Sequence, residues 1–186
     1  FRPAESDSPV DRALVANPAG ERIPMEATRI CLVRHGETSW NAEKRIQGNI
    51  DVGLDETGMA QADAAAQWLA PLAMDALYSS DLLRARQTAE RLAAALKRVP
   101  VLRPEFRERR YGLFEGLTYE QSRTRYPDVY AQFEERVPDF VIPYGGESLQ
   151  QLHLRVSSGL RRLVDEHRGQ TIAVVTHGGV LDIVNR

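Results

Sequence analysis

The feature that most constrains this chain is a short apolar run that ends on a histidine and a glycine, and it occurs twice. Residues 29–33, RICLV, run into Arg34-His35-Gly36, and residues 171–175, TIAVV, run into Thr176-His177-Gly178. Apolar stretches this short read as strands buried on both faces, which is the condition of a parallel sheet covered by helices. The intervening sequence supplies such helices. Residues 57–70 have high helix propensity and stop at Pro71. DALY at 75–78 reads as a strand leading into Ser79-Ser80. The following DLLRARQTAERLAAALKR reads as a helix with Ser80 as N-cap and Asp81 in its first turn. Val99–Leu102 is a further candidate strand. In residues 147–167 Leu149, Leu152, Val156, Leu160 and Leu163 form one helical stripe, and a last helix is expected from near Gly178.

This alternation predicts an α/β fold, a three-layer α/β/α sandwich with a mostly parallel central sheet. Such sheets bind ligands in the crevice beyond the carboxyl ends of their strands. Three strand ends would bring Arg34 and His35, Ser80 with Arg84 one turn later, and His177 to one place. Arginine offers a planar fork of donors matched to phosphate oxygens. A neutral imidazole is a nucleophile toward phosphorus. Glycine after each histidine would let a backbone amide approach an oxyanion. The combination points to phosphoryl transfer through a phosphohistidine. The chain has no GxxxxGK[ST] loop, no HExxH and no acidic cluster in its sequence, so neither a nucleotide, a cofactor nor a metal is needed to account for these residues.

Composition excludes other classes. The 186 residues fit one domain, and residues 29–186 carry equal numbers of acidic and basic side chains. A neutral domain has no electrostatic case for nucleic acid or an anionic membrane. The lone Cys31 makes no internal disulfide, and no stretch has the length of a membrane span, so a soluble, cytoplasmic protein is expected. Residues 1–24 are rich in Pro, Ser, Ala and charge and read as an extension or arm before a domain at 25–186. Oligomeric state is left open.

The residues also carry a resemblance. LVRHGETSWN at 32–41, RIQG at 45–48 and DVGLDETGMAQA at 51–62 resemble the signature of the histidine phosphatase superfamily, in its phosphoglycerate-mutase-like branch. YSSDLLRARQTA at 78–89, FRERRYGLFEG at 106–116 and VVTHGGVLDIV at 174–184 resemble its later motifs, in the family's order. The resemblance implies a phosphomonoester hydrolase acting on a small phosphate ester without a metal. In it His35 is the nucleophile, Glu108 the general acid and base, and His177 the stabiliser of the transferring group. Arg34, Asn41, Arg84 and Gly178 bind the phosphate. A mutase of the same family and a non-catalytic phosphate-binding module are the alternatives; the spacing from Glu108 to His177 is short for the mutase. Family members continue past the last motif, so the domain is expected to be C-terminally incomplete at Arg186.

Some residues invite plainer readings. A general acid needs a raised pKa, and Arg107, Arg109 and Arg110 would lower that of Glu108 if they faced it, so they are expected to point elsewhere, partly to solvent. Glu115 is the reserve candidate for the acid. His153 and His167 lie away from the strand ends and read as structural, Cys31 as a small buried hydrophobe, and Gly145-Gly146-Glu147-Ser148 as a turn and helix start.

Overall fold

In a computed structural model of the chain, residues 14–16, 22–24 and 27–186 are described. Strands β1 (Leu14–Ala16) and β2 (Arg22–Pro24) pair antiparallel. The rest of the expected N-terminal arm lies outside the described residues. The domain proper is built on β3 (Arg29–Arg34), β4 (Ala76–Ser79), β5 (Pro100–Leu102) and β6 (Thr171–Thr176). These form a wholly parallel sheet in the order β3-β6-β4-β5. The predicted strands are therefore present, shifted by a residue at some ends.

Side chains on the two inner strands alternate between two cores, as the two-residue strand period requires. Leu77, Ala173 and Val175 pack with Ala66 and Leu69 of α2 (Glu56–Leu69) and with Ala85, Ala89 and Leu92 of α3 (Leu83–Leu96). Tyr78, Ile172 and Val174 face the other way, against Phe106 and against Leu163 of α6 (Leu149–Glu166). Leu152 and Val156 of α6 continue onto Val180 of the last helix, Gly178–Val184. The three-layer α/β/α architecture is thus as expected.

Ser80 differs from its expected role. Helix α3 begins at Leu83 with Leu82 as its N-cap, so Ser80 and Asp81 precede the helix. The loop spends Ser80 on the site, described below, and Asp81 on a two-pronged ion pair with Arg107 at 2.6 Å. Residues 103–144, where the sequence pattern placed no element, hold two 3-10 turns, a short α4 (Tyr119–Arg125) and α5 (Pro127–Glu134). They pack around their own aromatic core of Phe114, Tyr130 and Ile142 with Ile46. A four-residue helix, α1 (Ser39–Ala42), follows β3, and the helix after β6 is α7.

The loop after β3 crosses the start of α2 at backbone contact. A Cβ on Gly36 would lie 2.2 Å from the Gly58 carbonyl oxygen, and one on Gly58 would lie 2.0 Å from that of Glu37. Gly58→Ala should therefore lower stability by about 1–3 kcal/mol, as overpacking does, where the same change in an open helix would raise it by about 1 kcal/mol. Equilibrium denaturation of the two proteins checks this; a gain in stability would show that the two backbones can separate freely.

Candidate active site

The register of the sheet assembles the site. Arg34 pairs with Thr176 across β3 and β6, so the next residues in each strand direction, His35 and His177, emerge side by side. The His35 amide donates to the Thr176 carbonyl at 2.9 Å, and the two imidazole rings lie with centroids 5.1 Å apart. On the other side of β6, Ser79 pairs with Val175 and the Ser80 amide donates to the Val175 carbonyl. The Ser80 hydroxyl then meets Nε2 of His177 at 2.7 Å. This role of Ser80 was not read from sequence, because only the pairing of β4 with β6 creates it.

His35 is held in one tautomer. Its Nδ1 lies 2.6 Å from the Gly36 carbonyl oxygen, which can only accept, so Nδ1 carries the hydrogen and Nε2 the lone pair. Burial, helped by the nearby Arg84 charge, pushes the His35 pKa down to about 3, so the ring is neutral at ordinary pH. His177 is completely buried and held well below its ordinary value by the same causes. Its Nδ1 has no protein partner.

Arg84 is fully buried as well. It donates from Nη2 to the Gly48 carbonyl at 2.8 Å and from Nη1 to Ile50 at 3.0 Å, while its Nε is unpartnered. Arg34, exposed at the end of β3, and Arg84 line a cavity of about 410 Å³ together with His35, Asn41, Glu108 and Gly178. Six of the seven site residues expected from sequence thus share one cavity; the seventh, His177, is not on its wall but lies with its ring 5.1 Å from that of His35. Asn41 also caps α1, its Oδ1 accepting from the amide and hydroxyl of Thr38. Gly36 does not serve an anion as expected, since its amide donates to the Thr88 hydroxyl; its lack of a side chain serves the contact with α2.

Glu108 sits in the irregular stretch between the two 3-10 turns. Its carboxylate accepts from the Arg109 amide at 2.7 Å and from the Gly179 amide, at the start of α7, at 3.0 Å. Burial raises its pKa; the two amides and the charges of Arg84 and Arg34 oppose the rise without overcoming it. Of the neighbouring arginines two face elsewhere, and Arg109 shares the cavity wall with Glu108. Arg107 pairs with Asp81 and Arg110 is exposed, but Arg109 points inward rather than to solvent, donating to the Glu147 carbonyl and lying over the Tyr111 and Phe133 rings. Glu115 is occupied in the fold, its Oε1 accepting from the amides of Asn49 and Tyr111. Sequence reading missed Gln47, whose buried Oε1 is unpartnered at the cavity wall, and Gly179, whose function depends on a loop distant in the chain.

Among the described residues no three His, Cys, Asp or Glu side chains gather as a metal site, and no helix is long and apolar enough to cross a membrane. His153 is exposed, and His167 ends α6 with its Nε2 on the Tyr78 hydroxyl at 2.7 Å, both away from the cavity.

A cavity lined by two arginines, a neutral histidine and a carboxyl raised in pKa is the setting in which the sequence comparisons take their place. Residues 30–186 match the histidine phosphatase superfamily, branch 1, and the chain belongs to that family. It is 43% identical over 159 residues to phosphoglycerate mutase-like protein 4 of Arabidopsis thaliana, covering 84% of this chain and 69% of that one. It is 42% identical over 162 residues to a metal-independent phosphoserine phosphatase of the same plant, covering 86% and 68%. The structure of a phosphoserine phosphatase from Entamoeba histolytica in complex with 3-phosphoglyceric acid superposes with a TM-score of 0.76 at 30% identity, covering 85% of this chain and 78% of that one. The chain is thus a histidine phosphatase family protein with phosphatase homologues.

A Cβ on Gly179 would fall 2.2 Å from Oε1 of Glu108. Gly179→Ala should displace the carboxyl and lower kcat by about 10²-fold, the effect of an ångström-scale misplacement, with inorganic phosphate still inhibiting at similar concentration. Steady-state kinetics with phosphate as inhibitor checks this; unchanged turnover would mean that Glu108 tolerates relocation.

Proposed function

We propose that the protein hydrolyses small phosphate monoesters through a phosphohistidine on His35. The observation that carries this reading is the pair of buried, unpartnered donors, Nε of Arg84 and Nδ1 of His177, beside the free Nε2 lone pair of His35. Buried donors left unpaired in a folded protein call for a partner, and a phosphoryl group satisfies both.

In the first step Nε2 of His35 attacks phosphorus and the P–O bond of the ester breaks. The departing oxygen takes the proton of the Glu108 carboxyl and leaves as the alcohol. In the second step water attacks the phosphohistidine, its proton passes to the Glu108 carboxylate, the N–P bond breaks and phosphate is released. Arg34 and Arg84 neutralise the charge on the equatorial oxygens and a neutral His177 donates a hydrogen bond to them, the kind of charge stabilisation that supplies most of the rate enhancement in phosphoryl transfer. Asn41 and Gly178 contribute from the wall. A neutral His177 that accepts a hydrogen bond from the Ser80 hydroxyl at Nε2 carries its own hydrogen on Nδ1, the atom left free to donate to a phosphoryl oxygen.

Relatives described as phosphoserine phosphatases support a phosphorylated small acid as substrate. Phosphoserine is the first ester to test.

His35→Ala should abolish phosphate release. Glu108→Gln should lower kcat/KM by about 10²–10⁴-fold while inorganic phosphate binds almost as before. Wild-type protein quenched in alkali during turnover should carry phosphate that is stable to base and lost in acid. Chelators should leave the rate unchanged. Absence of the labelled intermediate, or efficient interconversion of 3- and 2-phosphoglycerate without phosphate release, would overturn this reading.

The pH dependence follows from the same groups. His35 stays unprotonated down to about pH 3, and the raised pKa of Glu108 keeps its acid form above the ordinary carboxyl range. In the kcat/KM profile an alkaline limb should therefore mark ionisation of Glu108. That limb should be missing from Glu108→Gln, whereas the limb due to the ester's own phosphate persists in both; identical profiles would remove Glu108 from the reaction.

A further inference from the structure

Glu108 performs its proposed chemistry from a stretch with no regular structure, so something other than a ladder of backbone bonds must hold it. The fold uses one ion pair. Glu147 is buried, and Arg155 of α6 grips its carboxylate with two parallel bonds, Nε to Oε1 at 2.9 Å and Nη2 to Oε2 at 2.8 Å. The remaining amino group of the same guanidinium, Nη1, donates to the carbonyls of Glu105 at 2.8 Å and Arg107 at 3.0 Å. Glu147 also fastens the stretch through its own backbone: its amide donates to the Arg110 carbonyl at 2.9 Å, and its carbonyl accepts from Arg109 Nε at 2.9 Å. Asn49 Nδ2 donates to the Glu108 carbonyl itself at 2.9 Å, and Arg155 Nη2 reaches the same carbonyl at 3.4 Å. Contacts to residues 105, 107, 109 and 110 thus bracket Glu108 on both sides in sequence.

We infer that Glu147 and Arg155 are positioning residues that set the Glu108 carboxyl at the leaving-group oxygen, so that the GGES turn serves proton transfer rather than only starting a helix. The inference rests on the role proposed for Glu108. Arginine is specifically required, because only its planar fork can hold a carboxylate with one edge and two carbonyls with another. Lysine, a point charge with no fixed fork, would keep the charge and lose the geometry.

The test uses the leaving group. An alkyl phosphate needs a proton delivered to its departing oxygen, whereas 2,4-dinitrophenyl phosphate does not. Since kcat/KM reports only the steps through phosphoenzyme formation, the ratio of the two values isolates protonation. Arg155→Lys and Glu147→Gln are compared with Glu108→Gln and wild type, with thermal unfolding to confirm folded protein. Both positioning variants should lose about 10–100-fold in kcat/KM on the alkyl ester and little on the dinitrophenyl ester, with inhibition by inorganic phosphate unchanged. If either folded variant loses equally on both esters, or on neither, while Glu108→Gln shows the selective loss, the inference is overturned and the role of Glu108 stands. If Glu108→Gln itself shows no selectivity, the acid role fails and the positioning role with it. Should Arg155→Lys not fold, Glu147→Gln decides alone, and Glu147→Asp, which keeps the charge but shortens the reach, replaces it if needed.

Discussion

The structure depends on one ladder, the parallel pairing of β3 with β6. A single-residue slip in a strand moves every side chain to the opposite face. Here it would separate His35 from His177 and would also exchange the two cores that Ile172 to Val175 divide between them. The same apolar alternation that buries the central strand therefore sets the distance between the two imidazoles. Packing and function share one register, and neither can change alone.

The second constraint is electrostatic. The site buries a guanidinium and two imidazoles, and burial of charge without compensation is costly. The protein meets this by keeping both rings neutral and by giving Arg84 the carbonyls of Gly48 and Ile50. What remains unpaired at the site is Nε of Arg84 and Nδ1 of His177, together with the Gln47 Oε1 acceptor. Glu108 belongs to the same balance. It accepts two amides that favour its charged form, yet lies deep enough that the proton is held more tightly than in water. The arginines next to it in sequence do not disturb that balance, because Asp81 and the Glu147 carbonyl take two of them away.

Legibility in the sequence followed the range of the interactions. The strands at 29–34 and 171–176 and the stripe on α6 were readable because periodicity is local. Ser148 caps α6 in a reciprocal pair with Gln151, a start signal contained within four residues. Ser80 looked like a cap by the same local logic, and failed because a strand far away in sequence offered its hydroxyl a better partner. The helices at 119–134 were not read: Tyr126, Val129, Tyr130 and Phe133 do recur at helical steps and meet one core, but the stripe spans barely two turns and Pro127 interrupts the run between the two helices. Arg109 defeated expectation for another reason: a charged residue in a charged run reads as solvated, and only the fold shows the carbonyl and rings that receive it.

By itself the sequence determined the layered α/β class, the strand ends where chemistry could occur, and the kinds of groups available there, because these follow from near-neighbour pattern and side-chain chemistry. Tertiary structure alone decided which of those groups meet. It set Glu108 on the wall of the cavity and gave the Glu115 carboxylate to the amides of Asn49 and Tyr111, turned the amide of Gly36 to Thr88, and brought Gly179, Ser80 and Arg155 to residues they do not approach along the chain. The physical reason is that a hydrogen bond or a proton transfer is settled over a few ångströms in space, and in a parallel sheet the chain separating two such atoms can be more than a hundred residues long.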